Sequence, residues 1–541
     1  MANRYWVGGN GTWNTTNTAV WSASSGGASG ASVPTAADSV FFDQATTYTV
    51  NMTGGGIVCL DLTVSAGTVT FASTGGVTIS GSMSLSASTV WTNTGQITFN
   101  ATTTGKTITT NGVSLGTPAV VFNGVGGSWQ LQTAVTVSGS SALVTVTNGT
   151  LDLNNKTLTS FYFDSNNVNT RTIAFGTTGS VVITGAAISP TTILTLNSTG
   201  LTFTGTPTFS FTSSSGVIRY VQGGNFSEAQ APNYNLSGTG TFTFNTSQSI
   251  KNLNTTGYTG NITTALNIGV TCYGSITLSS TTTVGFNGAS ASLTLAGTGS
   301  NTIDLNGVNC GTGALTVNGV GGSWQLLSAG TVSAITHTNG TFNLNGVTLT
   351  AYSYATAAGT KNITFNGGTL LCTTNNVVWN NAQPTGFTTT AGTGIGTISF
   401  NNGSAKTFTG GGSVYNCNLS NTGAGALTIT GNNTFTNLAS STTARTYTFT
   451  AGTTTTFTAL GFTGAAANLI TLGSSSTATY TISQSSGTIS CDYLSISRAV
   501  ATGGAAFYAG ANSTNGGTNT GWSFTAAPPI GTSLNNFFFM F

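Results

Sequence analysis

A long internal repeat constrains the fold of this chain more than any other feature of its sequence. Residues 303–326 restate residues 108–131 at an offset of 195 positions. The match resumes at residues 338–350, which restate residues 147–159 at an offset of 191. A deletion between the matching segments accounts for the difference, and we expect it to lie in a loop. Such repetition is typical of proteins that stack similar units rather than close around one globular core.

Charged residues are rare in this sequence. They make up 3% of the 541 residues, with ten Lys and Arg and eight Asp and Glu, against about 25% in an ordinary soluble domain. The surface must therefore be wetted by Thr, Ser, Asn and the backbone, which makes lateral association easy. Hydrophobic residues are 38% and aromatic residues 10% of the chain. These amounts are sufficient for a core, so the composition indicates a folded chain.

Short alternating runs fill nearly the whole sequence. In runs such as 67–71, 171–175 and 446–449, an apolar residue alternates with Thr, Ser or another small residue, which is the period of half-buried β-strands. Asn-Gly, Gly-Gly and Gly-Thr-Gly breaks separate the runs, and their residues tolerate the positive φ of tight turns. We find no convincing helical periodicity. The sequence therefore predicts an all-β chain.

Two all-β architectures compete for this pattern. Repeated sandwiches would need modules of about 100 residues, whereas a parallel β-solenoid stacks units of about 20–25 residues. Similar strand-turn units recur inside the 195-residue block itself, which favours the solenoid. Stacked turns place like side chains about 4.8 Å apart, where Thr or Asn can hydrogen-bond and like charges repel. We predict an elongated, parallel, right-handed β-solenoid (β-helix) of on the order of 20 turns.

The predicted organisation has six parts along the chain. They are a Trp-rich cap or attachment module at 1–45, a first solenoid block at 46–205, an irregular junction at 206–265, a second solenoid block at 266–400, further solenoid turns at 401–525, and a Pro-containing linker with an aromatic tail at 526–541.

Tryptophans mark two kinds of candidate site. Trp6, Trp13 and Trp21 are predicted to cover the open N-terminal end of the stack or to attach it to a partner, because an open sheet end needs protection. Trp129 and Trp324 each follow the same Gly-Val-Gly-Gly-Ser turn. These two are predicted to occupy equivalent positions, either in the core or at a buried corner.

Five large apolar residues lie together at the C-terminal tail, where burying each would contribute about 1.5–3 kcal/mol. Two interpretations stay open. The tail caps the last turn of its own solenoid, or it docks on a neighbouring subunit or other partner and helps to set a homo-oligomer such as a trimer. The residues are Phe537, Phe538, Phe539, Met540 and Phe541.

The acidic residues do not predict a catalytic site. Solenoid enzymes that cut polysaccharides need paired carboxylates, one as acid and one as base or nucleophile. In the repeat, Asp152 corresponds to Asn343 and Asp304 to Thr109, so the charges vary while the strand pattern stays. We expect no catalytic residues among the eight acids, which are Asp38, Asp43, Asp61, Asp152, Asp164, Glu228, Asp304 and Asp492.

Other chemical motifs are weak. His337 is the sole histidine and corresponds to Val146, so we expect a strand residue rather than a base or a ligand. Asp38 and Asp43 lie outside any calcium-loop motif, and turn and strand-end roles are expected for them. The glycines at 124–127 lack the helix and Lys of a phosphate site. We therefore expect no metal and no cofactor.

Cysteine, cation and hydropathy patterns limit the compartment and the partners. The ten cations form no basic patch, which argues against nucleic acid, and no apolar run is long enough for membrane insertion. The N-terminus lacks the features of a secretory signal. The cysteines lie too far apart for a disulfide framework, so we expect them to be buried thiols. They are Cys59, Cys272, Cys310, Cys372, Cys417 and Cys491.

Two segments resemble known proteins. Residues 5–13 (YWVGGNGTW), Trp21 and residues 33–42 (VPTAADSVFF) resemble the opening of repetitive proteins found in tailed bacteriophages and in some bacterial surface adhesins. Residues 468–524 resemble the closing turns of right-handed β-helices in the same kinds of protein, through their segments 468–472, 491–496 and 511–524. The resemblance implies a virion fibre, spike or appendage, or an adhesin, and it carries over no catalytic residue.

These observations lead to an expected function. The chain is expected to be a structural virion protein, a phage tail fibre, spike or capsid appendage involved in host-surface attachment. A bacterial cell-surface adhesin or matrix protein is the alternative, and a polysaccharide-degrading β-helix is a second one. The expected location is the virion, or the cell surface for the alternative. The expected partners are further copies of the chain, other virion proteins and a host-surface glycan.

Overall fold

The computed structural model describes residues 2–116, 119–139, 141–185, 192–213, 218–286, 288, 290–311, 313–439 and 443–529. Within these residues every regular element is a β-strand, so the prediction of an all-β chain is confirmed. The strands pair in parallel from one turn to the next and build a β-solenoid of about 21 turns. The predicted solenoid is therefore confirmed in preference to repeated sandwiches.

Contacts divide the chain into two compact units. The first contains Met1–Gly297 and Asn301–Gly313, and the second contains Thr298–Ser300 and Ala314–Phe541. The strands up to residue 304, numbered β1 to β35, are Asn3–Trp6, Gly11–Trp13, Trp21–Ser22, Ser39–Phe42, Thr47–Met52, Ile57–Cys59, Leu62–Val64, Thr68–Ser73, Val77–Ile79, Met83–Ser84, Val90–Trp91, Ile97–Phe99, Lys106–Thr109, Ser114–Leu115, Ala119–Leu131, Val135–Val137, Leu143–Asp152, Thr157–Ser160, Tyr162–Ser165, Arg171–Ala174, Ser180–Ile183, Thr192–Leu196, Leu201–Thr204, Thr208–Phe211, Ile218–Gln222, Asn233–Leu236, Thr241–Phe244, Gln248–Ile250, Leu253–Asn254, Asn261–Thr264, Gly269–Cys272, Ile276–Thr277, Thr283–Gly285, Ser292–Leu295 and Ser300–Asp304.

The strands of the second unit are numbered β36 to β59. They are Ala314–Leu326, Gly330–Val332, Ile335–Asn343, Thr348–Ala351, Tyr354–Thr356, Lys361–Thr364, Thr369–Cys372, Asn376–Asn380, Phe387–Thr390, Gly396–Phe400, Lys406–Thr409, Cys417–Asn421, Leu427–Thr430, Thr434–Phe435, Arg445–Phe449, Thr454–Phe457, Ile470–Ser474, Tyr480–Ser483, Thr488–Ser490, Leu494–Ile496, Ala499–Thr502, Ala506–Tyr508, Thr514–Asn515 and Trp522–Ser523.

The core is built from in-register columns of apolar side chains. In β12, Ile97 and Phe99 point inward and are buried, and Thr98 between them faces outward. Phe99 pairs with Phe122 of β15, and their rings stack with centroids 5.2 Å apart and planes 11° apart. On the outer face Thr98 pairs with Thr78 of β9. Like side chains therefore recur in successive turns, inside and outside, because the register does not slip.

Glycine is required where the backbones of successive turns approach most closely. A Cβ atom on Gly95 would lie 2.2 Å from the carbonyl oxygen of Gly75 in the preceding turn. Neither glycine has a positive φ, so the constraint there is the lack of space and not the backbone conformation. Such contacts explain why Gly breaks recur throughout the sequence.

The first strand of the first unit has a neighbour on both of its edges. Strand β1 pairs in parallel with β4 on one side. On the other side it pairs antiparallel with the two-residue strand β3, where Trp6 faces Trp21. The short antiparallel strand occupies the hydrogen-bonding edge that an open parallel stack would expose.

The prediction of an irregular junction at 206–265 was wrong for the described part of that segment. Seven strands, β24 to β30, lie within it, and they pair in parallel with their neighbours in the stack. Among the described residues of this segment, the longest stretch without a strand is the connection between β25 and β26, where Glu228 pairs with Lys251 at 2.9 Å. The aromatic rings of Phe209, Tyr234 and Phe242 fill the interior there, so the core continues through this segment.

The two copies of the repeat fold alike. Strands β15 and β36 are each 13 residues long and share the same pattern of buried and exposed positions. The first copy has six residues between Val137 and Val144, and the second has two between Val332 and Ile335. The four-residue deletion therefore lies in the connection between β16 and β17, which confirms that it fell in a loop.

Candidate functional site

The most closely matched part of the repeat is a nine-residue segment. Residues 123–131 and 318–326 are identical, both reading NGVGGSWQL. The flanking core residues have changed, since Phe122 in the first copy corresponds to Val317 in the second. The segment has therefore kept its sequence in a repeat whose interior has diverged.

This segment forms a loop that bulges from the sheet. In the first copy the pairing of β15 with β17 is regular up to Phe122, then shifts so that Asn123 faces Asn148 and Ser128 faces Thr150. Four residues of one turn thus oppose the single Gly149 of the next. The amide of Asn148 donates to the side-chain oxygen of Asn123 at 2.7 Å. In the second copy the same shifts and the same pair of asparagines recur, with an amide contact of 2.8 Å.

Close packing explains the glycines of the loop. A Cβ on Gly124 or Gly127 would lie 1.8 or 1.9 Å from the carbonyl oxygen of Ala101 in the preceding turn. Gly126 has a φ of 77° and Gly321, its counterpart, a φ of 75°, which is the left-handed region that favours glycine. Any larger residue at Gly124 or Gly127 would force the two turns apart, and one at Gly126 would strain the backbone.

The loop places one apolar side chain in solvent and one in the core. Val125 and its counterpart Val320 are 72% and 70% exposed, whereas Trp129 and Trp324 are fully buried. The two indoles thus lie in equivalent core positions. Sequence reasoning singled out the indoles and missed the valines, although the nine identical residues were the signal that could have identified the whole loop. We take the two loops as the candidate contact surfaces of the chain.

A shallow cleft adjoins the first loop. Its volume is about 380 Å³, and the residues that line it come from four successive turns. Val125 and Gly126 form one side, and Asn148, Asn169 and Thr170 belong to the following turns. The cleft therefore offers amide and hydroxyl groups beside an aliphatic side chain, a surface that suits neutral, hydrogen-bonding partners.

Charged side chains contribute little to the outer surface of this protein. All eighteen, the ten Lys and Arg and the eight Asp and Glu, lie among the described residues, and each is buried or partly buried. The described outer surface is therefore formed mainly by Thr, Ser, Asn, Gly and isolated apolar side chains, with partly exposed ions such as Lys251 and Glu228, whose side chains are 36% and 26% exposed. Scattered cations were expected, but their burial was not.

Four cations lie in the interior with at most 2% of their surface exposed, namely Arg171, Arg219, Lys361 and Lys406. Backbone oxygens surround the guanidinium group of Arg171. Its Nη1 donates to the carbonyl oxygens of Asn169 and Thr199 at 2.7 and 3.0 Å, and its Nη2 to that of Asn197 at 2.8 Å. A buried charge is costly unless it is hydrogen-bonded, so these carbonyl oxygens stabilise the guanidinium group in the interior.

The buried lysines are held in the same way. Lys361 donates to the carbonyl oxygens of Gly359 and Thr385 at 3.0 and 3.2 Å. Burial lowers the pKa of Lys361 and of Lys406.

The two copies of the repeat place a cation at the same position, because Arg171 pairs with Gly149 in the first copy and Lys361 pairs with Gly340 in the second. Lys406 donates to the carbonyl oxygens of Asn402, Ser404 and Gly425.

Carboxylate side chains accept hydrogen bonds that link neighbouring turns. Asp38 accepts hydrogen bonds from the backbone of Ala2 at 2.9 Å and from the backbone and hydroxyl of Thr35 at 3.0 and 2.7 Å. Burial raises its pKa, but these hydrogen bonds outweigh burial and hold the pKa below its usual value. Asp38 thus has the turn role expected for it. Among the described residues, no three or more His, Cys, Asp or Glu side chains are grouped so that they could hold a metal ion.

His337 is a buried strand residue, as predicted. Its Nδ1 lies 2.9 Å from the hydroxyl of Tyr354 and its Nε2 lies 3.0 Å from the carbonyl oxygen of Gly340. A carbonyl only accepts, so Nε2 carries the proton and Nδ1 accepts from the tyrosine. Burial lowers the pKa of His337 to about 4, and the charge of Lys361 adds to this effect while the Gly340 carbonyl opposes it.

The cysteines are structural. All six are free and buried, which confirms the prediction made from their spacing. Burial raises the pKa of Cys272, Cys310 and Cys372 to about 12. These thiols therefore stay protonated and unreactive at neutral pH.

The three N-terminal tryptophans form one aromatic cluster. The rings of Trp6 and Trp13 each meet the ring of Trp21 edge to face, with centroids 5.2 Å apart, and all three pack around Phe42. Each indole is at most 1% exposed. Attachment of a partner through this module stays a prediction. The C-terminal tail, Phe537 to Phe541, lies outside the described residues.

Comparison with known proteins assigns no family to this chain. No model of a known protein family matches it, and neither does any curated protein or solved structure. The described residues contain no helix with the length and hydrophobicity of a membrane span. The resemblance to phage proteins and adhesins therefore stays an expectation.

Replacement of either repeat tryptophan should destabilise the unit that contains it. We expect Trp129→Ala and Trp324→Ala each to lower the free energy of unfolding by about 3–5 kcal/mol, because each removes a fully buried indole. Phe at either position should cost less, since neither indole N–H has a partner among the described residues. Urea titration followed by circular dichroism measures both effects. The control, Val125→Ala, removes an exposed side chain, and alanine variants no less stable than this control would contradict the packing role.

The histidine of the second copy should make that copy sensitive to acid. Because the pKa of His337 is about 4 in the folded chain and about 6.5 in the unfolded chain, the unfolded state binds a proton first. The contribution of the neutral histidine to the free energy of unfolding is then fully present above about pH 6.5. The free energy of unfolding falls by on the order of 3 kcal/mol as the pH drops towards 4.

The first copy supplies the matched control, because Val146 and Phe163 stand where the second has His337 and Tyr354. In the double variant His337→Val/Tyr354→Phe this part of the acid sensitivity should be lost. The comparison needs urea midpoints of both proteins at pH 7 and pH 4.5. Equal acid losses in the two proteins would show that His337 does not titrate as described.

Proposed function

We propose that this chain is a structural, non-catalytic protein of a virus particle, a phage tail fibre, spike or capsid appendage that takes part in attachment to the host surface. The observation that carries the proposal is the combination of a stacked β-solenoid with a surface that has few charged side chains, all of them at least partly buried. Such a chain suits a durable scaffold rather than a reaction site.

The way the turns are joined supports a role outside the protection of a cell. Each turn is hydrogen-bonded to the next along several parallel strands, so local opening would have to break many backbone bonds at once. The bonds formed by Asp38 and by the four buried cations add side-chain links between turns. Appendages of particles need this kind of resistance to unfolding and proteolysis.

The neutral surface supports assembly with further copies and other particle proteins. Identical surfaces that carry exposed charge of one sign repel each other when they meet, and the formal net charge of +2 on 541 residues keeps this barrier small. The exposed valines of the two repeat loops offer matching apolar contact points. The resemblance of residues 5–13 and 33–42 to the opening of phage repeat proteins agrees with this role.

Native protein should resist trypsin. The protease cleaves after Lys and Arg, and all ten of these residues are buried or partly buried, in strands or immediately beside them. We expect no discrete fragments from the described part of the chain under conditions in which the urea-unfolded chain is digested completely. Gel electrophoresis with mass spectrometry follows the reaction. Rapid cleavage of the native chain at any of these ten residues would contradict the described burial.

Location in the particle is the decisive test of the proposal. Mass spectrometry and immunogold labelling of purified particles from the source of this chain should find it at a fixed number of copies per particle. Recovery from the cell surface, with absence from particles, would overturn the proposal in favour of an adhesin. Release of reducing ends from host glycans by the purified chain would overturn the non-catalytic role.

A further inference from the structure

The cleft beside the first repeat loop is lined by two asparagines whose side-chain oxygens have no donor among the described residues. The amide nitrogen of Asn148 donates to the side-chain oxygen of Asn123 at 2.7 Å, and that of Asn169 donates to the carbonyl oxygen of Thr147 at 3.2 Å. Each hydrogen bond fixes its side chain to the preceding turn and leaves Oδ1 as an acceptor. Because Asn148 and Asn169 line the cleft from successive turns, about 4.8 Å apart, they supply it with a pair of fixed acceptors.

The only charged residue that lines the cleft has no hydrogen-bond donor to spare. Arg171 is 1% exposed. Its Nε donates to the hydroxyl of Ser165, and its two terminal nitrogens donate to the carbonyl oxygens of Ser165, Asn169, Asn197 and Thr199. A guanidinium group has five N–H donors, so all five are used within the chain. A charged ligand would lose hydration here without gaining an opposite charge, and the cleft therefore suits a neutral ligand.

Exposure and strand pairing narrow the class of neutral ligand. Val125 lines the cleft and is 72% exposed, and Thr104 and Thr170 add hydroxyl groups. The strands that carry the cleft, β15, β17 and β20, have paired strands on both sides, so they offer no open edge for an added peptide strand. A hexose ring has hydroxyl donors around its edge and aliphatic C–H groups on its faces. This combination matches fixed acceptors beside a valine.

The second copy of the repeat lacks this pair of acceptors. Asn339 donates to Asn318 as its counterpart does in the first copy, but its Oδ1 accepts a hydrogen bond from the backbone of Thr360 at 3.1 Å. The residue two positions before the buried cation is Asn169 in the first copy and Gly359 in the second. Two identical loops therefore stand beside different polar groups.

We propose that the cleft of the first copy binds a neutral saccharide and that the second copy does not. Hydroxyl groups of the sugar donate to the side-chain oxygens of Asn148 and Asn169, and an aliphatic face of the ring packs on Val125. With attachment to a host surface as the proposed function, on which this inference rests, the ligand is an uncharged part of a surface glycan.

Saturation-transfer difference NMR tests the proposal on the full chain. The probes are the methyl glycosides of glucose, galactose, mannose and N-acetylglucosamine, with glucuronic acid as the charged counterpart of glucose. Saturation should pass from the protein to at least one of the neutral glycosides and not to glucuronic acid.

The two identical loops supply a matched pair of variants. Val125→Ala should weaken binding of the neutral glycoside about tenfold, the factor expected for loss of an aliphatic contact, and Val320→Ala should leave it unchanged. Asn169→Gly, which installs the residue of the second copy, should also weaken it about tenfold through loss of one hydrogen bond. Equal urea midpoints of the two valine variants assign a difference in binding to the contact itself.

Several results would overturn the proposal. They are transfer to none of the four neutral glycosides, preference for glucuronic acid, equal effects of Val125→Ala and Val320→Ala, and transfer to an uncharged alanine-glycine peptide in place of the sugars. Sugar binding by a chain that is absent from purified particles would overturn the proposed function alone. A chain that is found on particles but binds none of the glycosides would overturn this inference alone.

Discussion

The hydrogen-bonded spacing of parallel strands, about 4.8 Å between one turn and the next, is the constraint on which the rest of this structure depends. At that spacing a side chain in a regularly paired strand has a counterpart directly above or below it. Phe99 stacks on Phe122 and Thr78 on Thr98, because like groups of the same size pack and hydrogen-bond well. Where the backbones meet, as at Gly75 and Gly95, even a methyl group is too large.

The same spacing governs where charge can be placed. A cation cannot be repeated in successive turns without repulsion, and the described chain places its ionised groups among backbone dipoles instead. Arg171 and Lys361 stand at corresponding positions of the two copies, each surrounded by carbonyl oxygens from its own turn and the next. The turns of a solenoid present carbonyl groups in every layer, so such positions arise from the fold itself.

The fold could be predicted from the sequence because its rules are local. Alternation, glycine breaks and the 195-residue repeat are read directly from the residues. The burial of Arg171 could not be predicted, since two of its carbonyl partners, Asn197 and Thr199, belong to a later turn. Residues 206–265 were expected to be irregular because Glu228, the only Glu, stands there beside the Pro-containing run 229–234. The polar groups of this segment fit into regular turns nevertheless, as where the buried Gln248 accepts hydrogen bonds from Gly223 and Tyr234. Val125 and Val320 were missed because exposure depends on the bulge in register.

The two repeat loops, residues 123–131 and 318–326, contain no charged residue, and this has a consequence for any contact that they make. Dissolved ions weaken attractions between exposed charges over a screening distance of about 10 Å at 0.1 M salt. A contact formed by hydroxyl, amide and valine groups contains no attraction between exposed charges. Its strength should therefore change little between low and moderate ionic strength, and its rate of formation should gain nothing from long-range attraction.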